Sequence, residues 1–297
     1  MITWSWRDRL EGDDAVEVAA LLAESVDYDA EAGFSTARPD APASGAVHHL
    51  VVTMPPAGSR GSAELDRLPD VRVVAYLRLD RDGATAQAEL VVRPAFRSRG
   101  IGTLLLEQLA LAPDGWASMP GLVTLEGWSH GAHPAADRMR SRFGGVVEHA
   151  VFKTLRPLGG SRPFVAPVAA IRESAAPEAV TELVPGHRAA MAPGELATLG
   201  LVRTVIALEE GEGSALLGWD PGGAGEQVAT LTVLPGEGGS RTALRELTVQ
   251  ALLVLQGAGV RMVQAYVDAL DDVAVSVARE LEFVHDQSDL RYRLALG

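Results

Sequence analysis

Apolar positions along the chain change their period several times, and each change marks an element. Within residues 13–26, Val16, Val18, Ala19, Leu21, Leu22 and Val26 fall at helical spacing and predict a helix. Residues 31–46 are rich in Ala, Pro, Ser and Gly and read as a loop. The run 49–54, His-Leu-Val-Val-Thr-Met, predicts a short strand, and a polar loop with two prolines follows over 55–70. Residues 71–79 and 87–92 predict two strands joined by the turn Asp80-Arg81-Asp82-Gly83. A helix is expected over 101–111, a strand over 121–126, a helix from Pro134 to about Phe143, and a closing strand over 146–155.

The order then repeats. A polar linker at 159–163 separates the halves, so the boundary is expected near residue 160. Strands are predicted over 202–208, 215–219 and 228–234, a long helix over 242–256, a strand over 262–267, a helix over 272–281 and a closing strand over 289–296. Both halves end alike, in Val-Phe-Lys-Thr-Leu-Arg at 151–156 and Leu-Arg-Tyr-Arg-Leu at 290–294. An internal duplication follows, with domains at 1–158 and 168–297 and an α/β (α+β) class in which each domain is a mixed central sheet flanked by helices.

Composition narrows the function classes. The length, 297 residues at 47% hydrophobic, suits two cores. No apolar run approaches a membrane span, and the N-terminus turns charged at Arg7-Asp8 without the order of a signal peptide. With no cysteine there is no disulfide, thiolate metal site or cysteine nucleophile, so a cytoplasmic location is expected. A net charge of −13 repels a phosphate backbone and disfavours nucleic acid as a partner. The scattered tryptophans lack the basic interleaving of a stacking platform. His130-x-x-His133 has no third ligand nearby, so no metal is expected.

One segment carries chemistry. An apolar strand with Glu89, Leu90, Val91 and Val92 ends at Arg93-Pro94. Arg97-Ser98-Arg99-Gly100-Ile101-Gly102-Thr103 then opens a helix. A helix start offers unpaired N–H groups and partial positive charge to an anion, glycine permits close backbone approach, and Arg97 and Arg99 add formal charge. The strand can offer its backbone to an extended amide-bearing ligand. A structural glycine turn with solvated arginines is the plain alternative. A dinucleotide turn has the wrong spacing, and the Gly-Lys-Ser/Thr ending of a P-loop is absent.

Placed between strand and helix, this segment resembles motif A of the GNAT superfamily, which binds the pyrophosphate and pantetheine of acetyl-CoA. The opening Trp6-Arg7, His49-Leu50-Val51-Val52, Ala75-Tyr76-Leu77-Arg78-Leu79, the run from Trp128 to Ala136 and Lys153-Thr154-Leu155-Arg156-Pro157-Leu158 are similar to the first domain of the mycothiol synthases. Those tandem-GNAT enzymes acetylate the cysteinyl amine of the mycothiol precursor. The likeness is good over 1–158 and thin over 168–297, where it rests on strand order and Tyr266-Val267-Asp268. It implies two tandem GNAT domains, acetyl-CoA as donor, and cofactor contacts from Leu90 to Val92 and from Arg97 to Thr103.

In that family the second domain is held to carry the chemistry, and here it departs from the pattern. Its loop reads Val233-Leu234-Pro235-Gly236-Glu237-Gly238-Gly239-Ser240-Arg241-Thr242-Ala243, and Arg241 stands where the first phosphate-loop glycine should be. The family's general base would be Glu226, one residue out of register. The tyrosine that protonates the leaving thiolate falls at Ala278, and the His-Pro-Glu-Gln substrate segment is not recognisable around 190–195. In the first domain Glu89 is the candidate base, with an exposed or ion-paired strand glutamate as its plain alternative. His133 reads as a helix-start residue, His130 as lining the cofactor cleft, His49 as structural, and Tyr76 as core or acid. Two functions are therefore expected to compete: an acetyl-CoA-dependent N-acetyltransferase acting as a monomer on a small amine, and a non-catalytic acetyl-CoA-binding protein with an eroded second site.

Overall fold

The computed structural model describes residues 2–31, 39–40, 43, 45–160, 163–166, 178–179, 204–210, 213–219, 228–235 and 240–296. It divides into two units, Met1–Glu148 with Leu290–Gly297, and His149–Asp289.

In the first unit, β1 (Thr3–Arg7), β2 (Ala46–Thr53), β3 (Val73–Asp82) and β4 (Thr85–Val92) form an antiparallel meander. β5 (Thr124–Ser129) then joins β4 in parallel. Helix α1 (Gly12–Glu31) covers one face, where Val18, Leu21 and Leu22 meet Val51, Val73 and Tyr76. It runs past the expected end at residue 26. A one-turn helix, α2 (Ala63–Asp66), lies in the loop before β3. Helix α3 (Ile101–Leu111) buries Ile101, Leu105 and Leu109, one residue per turn, on the opposite face against Leu50, Val52, Leu77 and Leu125. Helix α4 (Pro134–Arg142) starts at a proline, and the His133 ring nitrogen accepts from the Ala135 N–H at 3.3 Å. His133 is thus the helix-start residue its sequence suggested.

The strand closing this unit comes from the far end of the chain. Within β12 (Val284–Ala295), residues 290–295 pair antiparallel with β5, from Leu290↔Ser129 to Ala295↔Thr124. The strand expected to close the first half, β6 (Val146–Pro157), instead supplies residues 151–157 to the second unit. Strand propensity identifies both segments, but pairing is a long-range choice that alternation alone does not encode. The similar endings at 151–156 and 290–294 leave the sequence without a local signal that chooses between them.

The second unit repeats the plan. β7 (Glu178–Ala179), β8 (Thr204–Glu210), β9 (Gly213–Trp219) and β10 (Val228–Pro235) pair antiparallel in order. β11 (Met262–Asp268) joins β10 in parallel, and β6 pairs antiparallel with β11. Helix α5 (Arg241–Gly257) buries Leu244, Leu247, Leu252 and Leu255, and α6 (Asp272–Glu280) adds Val277 to the same core. Among the described residues no helix is long and apolar enough to cross a membrane.

Candidate functional site

The site begins where two strands stop pairing. β4 and β5 are matched only at Thr85↔Thr124, Ala86↔Leu125 and Gln87↔Glu126. Beyond Gln87, β4 continues to Val92 against β3 alone. The Arg93 N–H donates to the Val74 carbonyl at 2.9 Å, so in this antiparallel ladder residues 89, 91 and 93 bond toward β3. Ala88, Leu90 and Val92 therefore turn their backbone groups toward the opening. Gly127 marks its narrow end: a β-carbon there would lie 3.2 Å from the Ala88 carbonyl oxygen.

At the wide end β4 turns into α3. Pro94–Phe96 form a 3₁₀ turn, Ser98 takes φ 60°, and Gly100 takes φ 76° before Ile101 starts the helix. Gly100 has open space around its missing β-carbon, so its requirement is the left-handed backbone and not room. No side chain caps the first turn of α3. Its N–H groups there, in the stretch Ile101-Gly102-Thr103, begin beside the β4 edge, where Leu90 lies 3.5 Å from the place of a Gly102 β-carbon. The structure thus gathers Leu90, Val91, Val92 and the turn from Arg97 to Thr103 into one strand-to-helix corner.

The arginines of this corner are engaged. Arg97 donates from Nε to the Val92 carbonyl at 2.7 Å, pairs with Asp29 at 2.7 Å and lies over the Tyr28 ring at 5.0 Å. Arg99 pairs with Glu64 at 2.7 Å. Their charge is therefore partly met by carboxylates from α1 and α2. Arg93, 2% exposed, clamps α1 to the sheet: its Nε donates to the Val73 carbonyl at 3.0 Å, and its guanidinium meets Glu24 and Glu17.

Glu89 stands on the α1 face of β4, with its carboxylate 4.0 Å from the Arg78 guanidinium of β3. On the same face Tyr76 and His49 share a 2.7 Å hydrogen bond. Burial, and then the Arg78 cation, pushes the His49 imidazole below the ordinary histidine value. Burial likewise pushes the Tyr76 phenol well up, so it keeps its proton. Further along, Gln87 bonds Glu126 at 2.5 Å, and Arg291 of β12 lies 3.8 Å from Glu126 and over the Trp128 ring at 5.8 Å. Trp128 stacks on the buried His130 with ring centroids 6.5 Å apart. The sequence assigns no site role to Arg78 or Arg291. Arg78 is masked by an ordinary strand pattern, and Arg291 is brought in only by long-range pairing.

In the second unit, β10 and β11 likewise pair over a short stretch, Val228↔Met262 to Leu231↔Ala265. Ser240 caps α5 by accepting from the Ala243 N–H at 3.1 Å. Arg241 is drawn to Glu280 at 2.5 Å, and Arg245 pairs with the same carboxylate, which holds Glu280 below the usual carboxylate range. Glu226 and residues 236–239 of the second loop lie outside the described residues. Ala278, on α6, lines an open cavity. Among the described residues no group of three or more His, Cys, Asp or Glu side chains is placed to share a metal ion.

No family model matches the chain. The mycothiol acetyltransferase of Parafrankia sp. (strain EAN1pec) is 34% identical over 168 residues, which is 55% of this chain and 45% of the relative. That of Saccharomonospora viridis is 35% identical over 150 residues, 48% of this chain and 42% of the relative. These two matches span less than half the relatives' length. That of Frankia alni aligns over 337 positions at 28% identity, covering 97% of this chain and 93% of the relative. Among solved structures, a tandem GNAT protein from the clavulanic acid biosynthesis pathway superposes with a TM-score of 0.59 at 18% identity, covering 100% of this chain and 99% of that one. A GCN5-related N-acetyltransferase from Anabaena variabilis gives 0.54 at 10% identity, covering 99% and 73%.

Proposed function

We infer, for a chain that carries the tandem GNAT fold and is similar in sequence to mycothiol acetyltransferases, an acetyl-CoA-dependent N-acetyltransferase whose donor binds the first unit. The observation that supports it is the β4–β5 opening. Alternate backbone groups of β4 are turned into a gap that leads to the uncapped, glycine-led start of α3. An amide-bearing arm can add to the β4 edge as a further strand would, and a pyrophosphate suits the helix start.

In this reading the Leu90 and Val92 N–H groups serve the arm and the thioester carbonyl. Glu89, facing the α1 side of the opening, takes the proton from the acceptor ammonium. The amine nitrogen then bonds the acetyl carbon as the carbon–sulfur bond breaks, and the CoA sulfur leaves as a thiolate that takes up a proton. Arg78 keeps the Glu89 carboxylate in place beside the gap. The acceptor we propose is a small amine, the cysteinyl amine of the mycothiol precursor, which the resemblance to the mycothiol synthases implies and the relatives' name, mycothiol acetyltransferase, supports.

A non-catalytic acetyl-CoA-binding protein is the second reading, and Ala278 favours it by standing where the family places a tyrosine. Turnover separates the two. Calorimetric titration of acetyl-CoA into the wild type should show binding that Gly100→Glu weakens at least tenfold. A CoA-release assay with the cysteinyl precursor should then show turnover that Glu89→Gln lowers about 10²-fold. Binding without release of CoA would favour the second reading. No binding by the wild type would overturn both.

A further inference from the structure

We propose that the second unit holds a separate binding site for a small organic anion with an apolar or aromatic body. The site is an open cavity of about 380 Å³, within the size range of small-molecule pockets. It lies between α6, the end of β11, β6 and the first residues of β12, and every residue lining it belongs to the second unit.

Its walls are apolar for identifiable reasons. Val267 and Phe152 are register partners across β11 and β6, so both point to the same face of the sheet. That face also carries Ala265, which packs in the core with Ala274 and Ala278 of α6. Ala278 lines it with a small side chain, and the buried Phe283, just beyond the helix, lines it too. The His285 ring stands edge-on to Phe152, with centroids 5.2 Å apart. An aromatic body is matched by this pair, since edge-to-face packing is its favoured arrangement.

The charge of the site is the opposite of the chain's. The protein carries 39 acidic against 26 basic residues, yet among the described residues no carboxylate lines the cavity, and its one formally charged side chain is Arg279. The acids close by in sequence are committed elsewhere. Glu280 is held by Arg241 and Arg245, Glu282 by Arg156 at 3.1 Å, and Asp286 by Lys153 at 2.8 Å. Arg279 itself makes no ion pair among the described residues. A guanidinium left in this state beside an apolar wall suits a carboxylate, sulfonate or phosphate on an apolar body. His285 and Ser288, 3.0 Å apart, add a polar pair to the lining.

The proposal is independent of the acetyl-CoA reading of the first unit. It is tested on the full chain by calorimetry with 3-phenylpropanoate and its neutral isostere 3-phenylpropanamide. Saturable binding of the carboxylate, at least fivefold tighter than the amide, is expected. Arg279→Gln should bring the carboxylate to the level of the amide, and Ala278→Phe should weaken both at least tenfold by filling the cavity. Arg279 is exposed, so its replacement leaves the fold intact and decides the matter even if Ala278→Phe does not fold. No saturable binding, equal affinity for the two probes, or a carboxylate preference unchanged in Arg279→Gln would overturn the proposal. Acetyl-CoA added in excess should leave the carboxylate affinity unchanged, and its competitive displacement of the probe would assign the cavity to a CoA site instead.

Discussion

At the scale of single residues, His49 shows how burial turns into a pH dependence. Its imidazole sits 6% exposed against the Tyr76 hydroxyl, with Arg78, His48 and Asp8 as its charged or titratable neighbours. Burial and the Arg78 cation lower its proton affinity in the folded state relative to the unfolded chain. The unfolded state then binds the extra proton first. This contribution to stability is complete above the unfolded value of about 6.5 and is lost as the pH falls toward the lower folded value. Melting temperatures measured from pH 7.5 to pH 5 should fall in the wild type and fall less in His49→Gln, which cannot titrate. Parallel slopes would mean that other groups set the acid limb. The turn from Arg97 to Thr103 is legible in the sequence because its pattern is local, held within seven positions, but the sequence carries no trace of its partners. Asp29 and Glu64, which occupy Arg97 and Arg99, are supplied by other elements.

At the scale of elements, the helices were legible and the relations between strands were not. The periodic burial of Ile101, Leu105 and Leu109 places α3, and the proline after His133 places the start of α4. β5 runs three residues later than its apolar run suggested, because it includes Gly127 and Trp128, whose value lies in pairing with β12 and in closing the gap beside β4. The opening itself has no sequence signature, since it is a place where pairing ends. Arg93 illustrates how an element is held by a residue that looks like a loop cation. Its guanidinium reaches the Val73 carbonyl and two glutamates of α1, fixing the helix across the sheet. Arg93→Met keeps the bulk and removes the donors, leaving a carbonyl without its partner at a cost of about 1–3 kcal/mol. At roughly 2–4 °C per kcal/mol for a domain of this size, differential scanning calorimetry should show a drop of several degrees. An unchanged melting temperature would show that α1 is held by its apolar face alone.

At the scale of the whole molecule, the two units are not two consecutive segments of the chain. The first unit takes residues 290–297 from the chain's end, and the second takes residues 149–157 from the end of the first half. Residues 290–295 cover the edge of β5, and Leu294 and Leu296 pack against the first unit's core. A fragment of residues 1–148, the first unit without its last strand, would expose that edge and lose those contacts. Exposed edges pair with whatever strand is available, so the expected outcome is association or a lowered melting temperature. Supplying a peptide of residues 284–296 in trans should suppress that association and raise the melting temperature, whereas the 151–157 segment should not if pairing register is selective. Size-exclusion chromatography with thermal melts of the fragment, alone and with each peptide, reads both effects. A fragment that melts cooperatively at the full chain's temperature would show that the borrowed strand adds little. Rescue by the peptide would show that the fold of the first unit depends on a strand that the linear order of the sequence assigns to the other half.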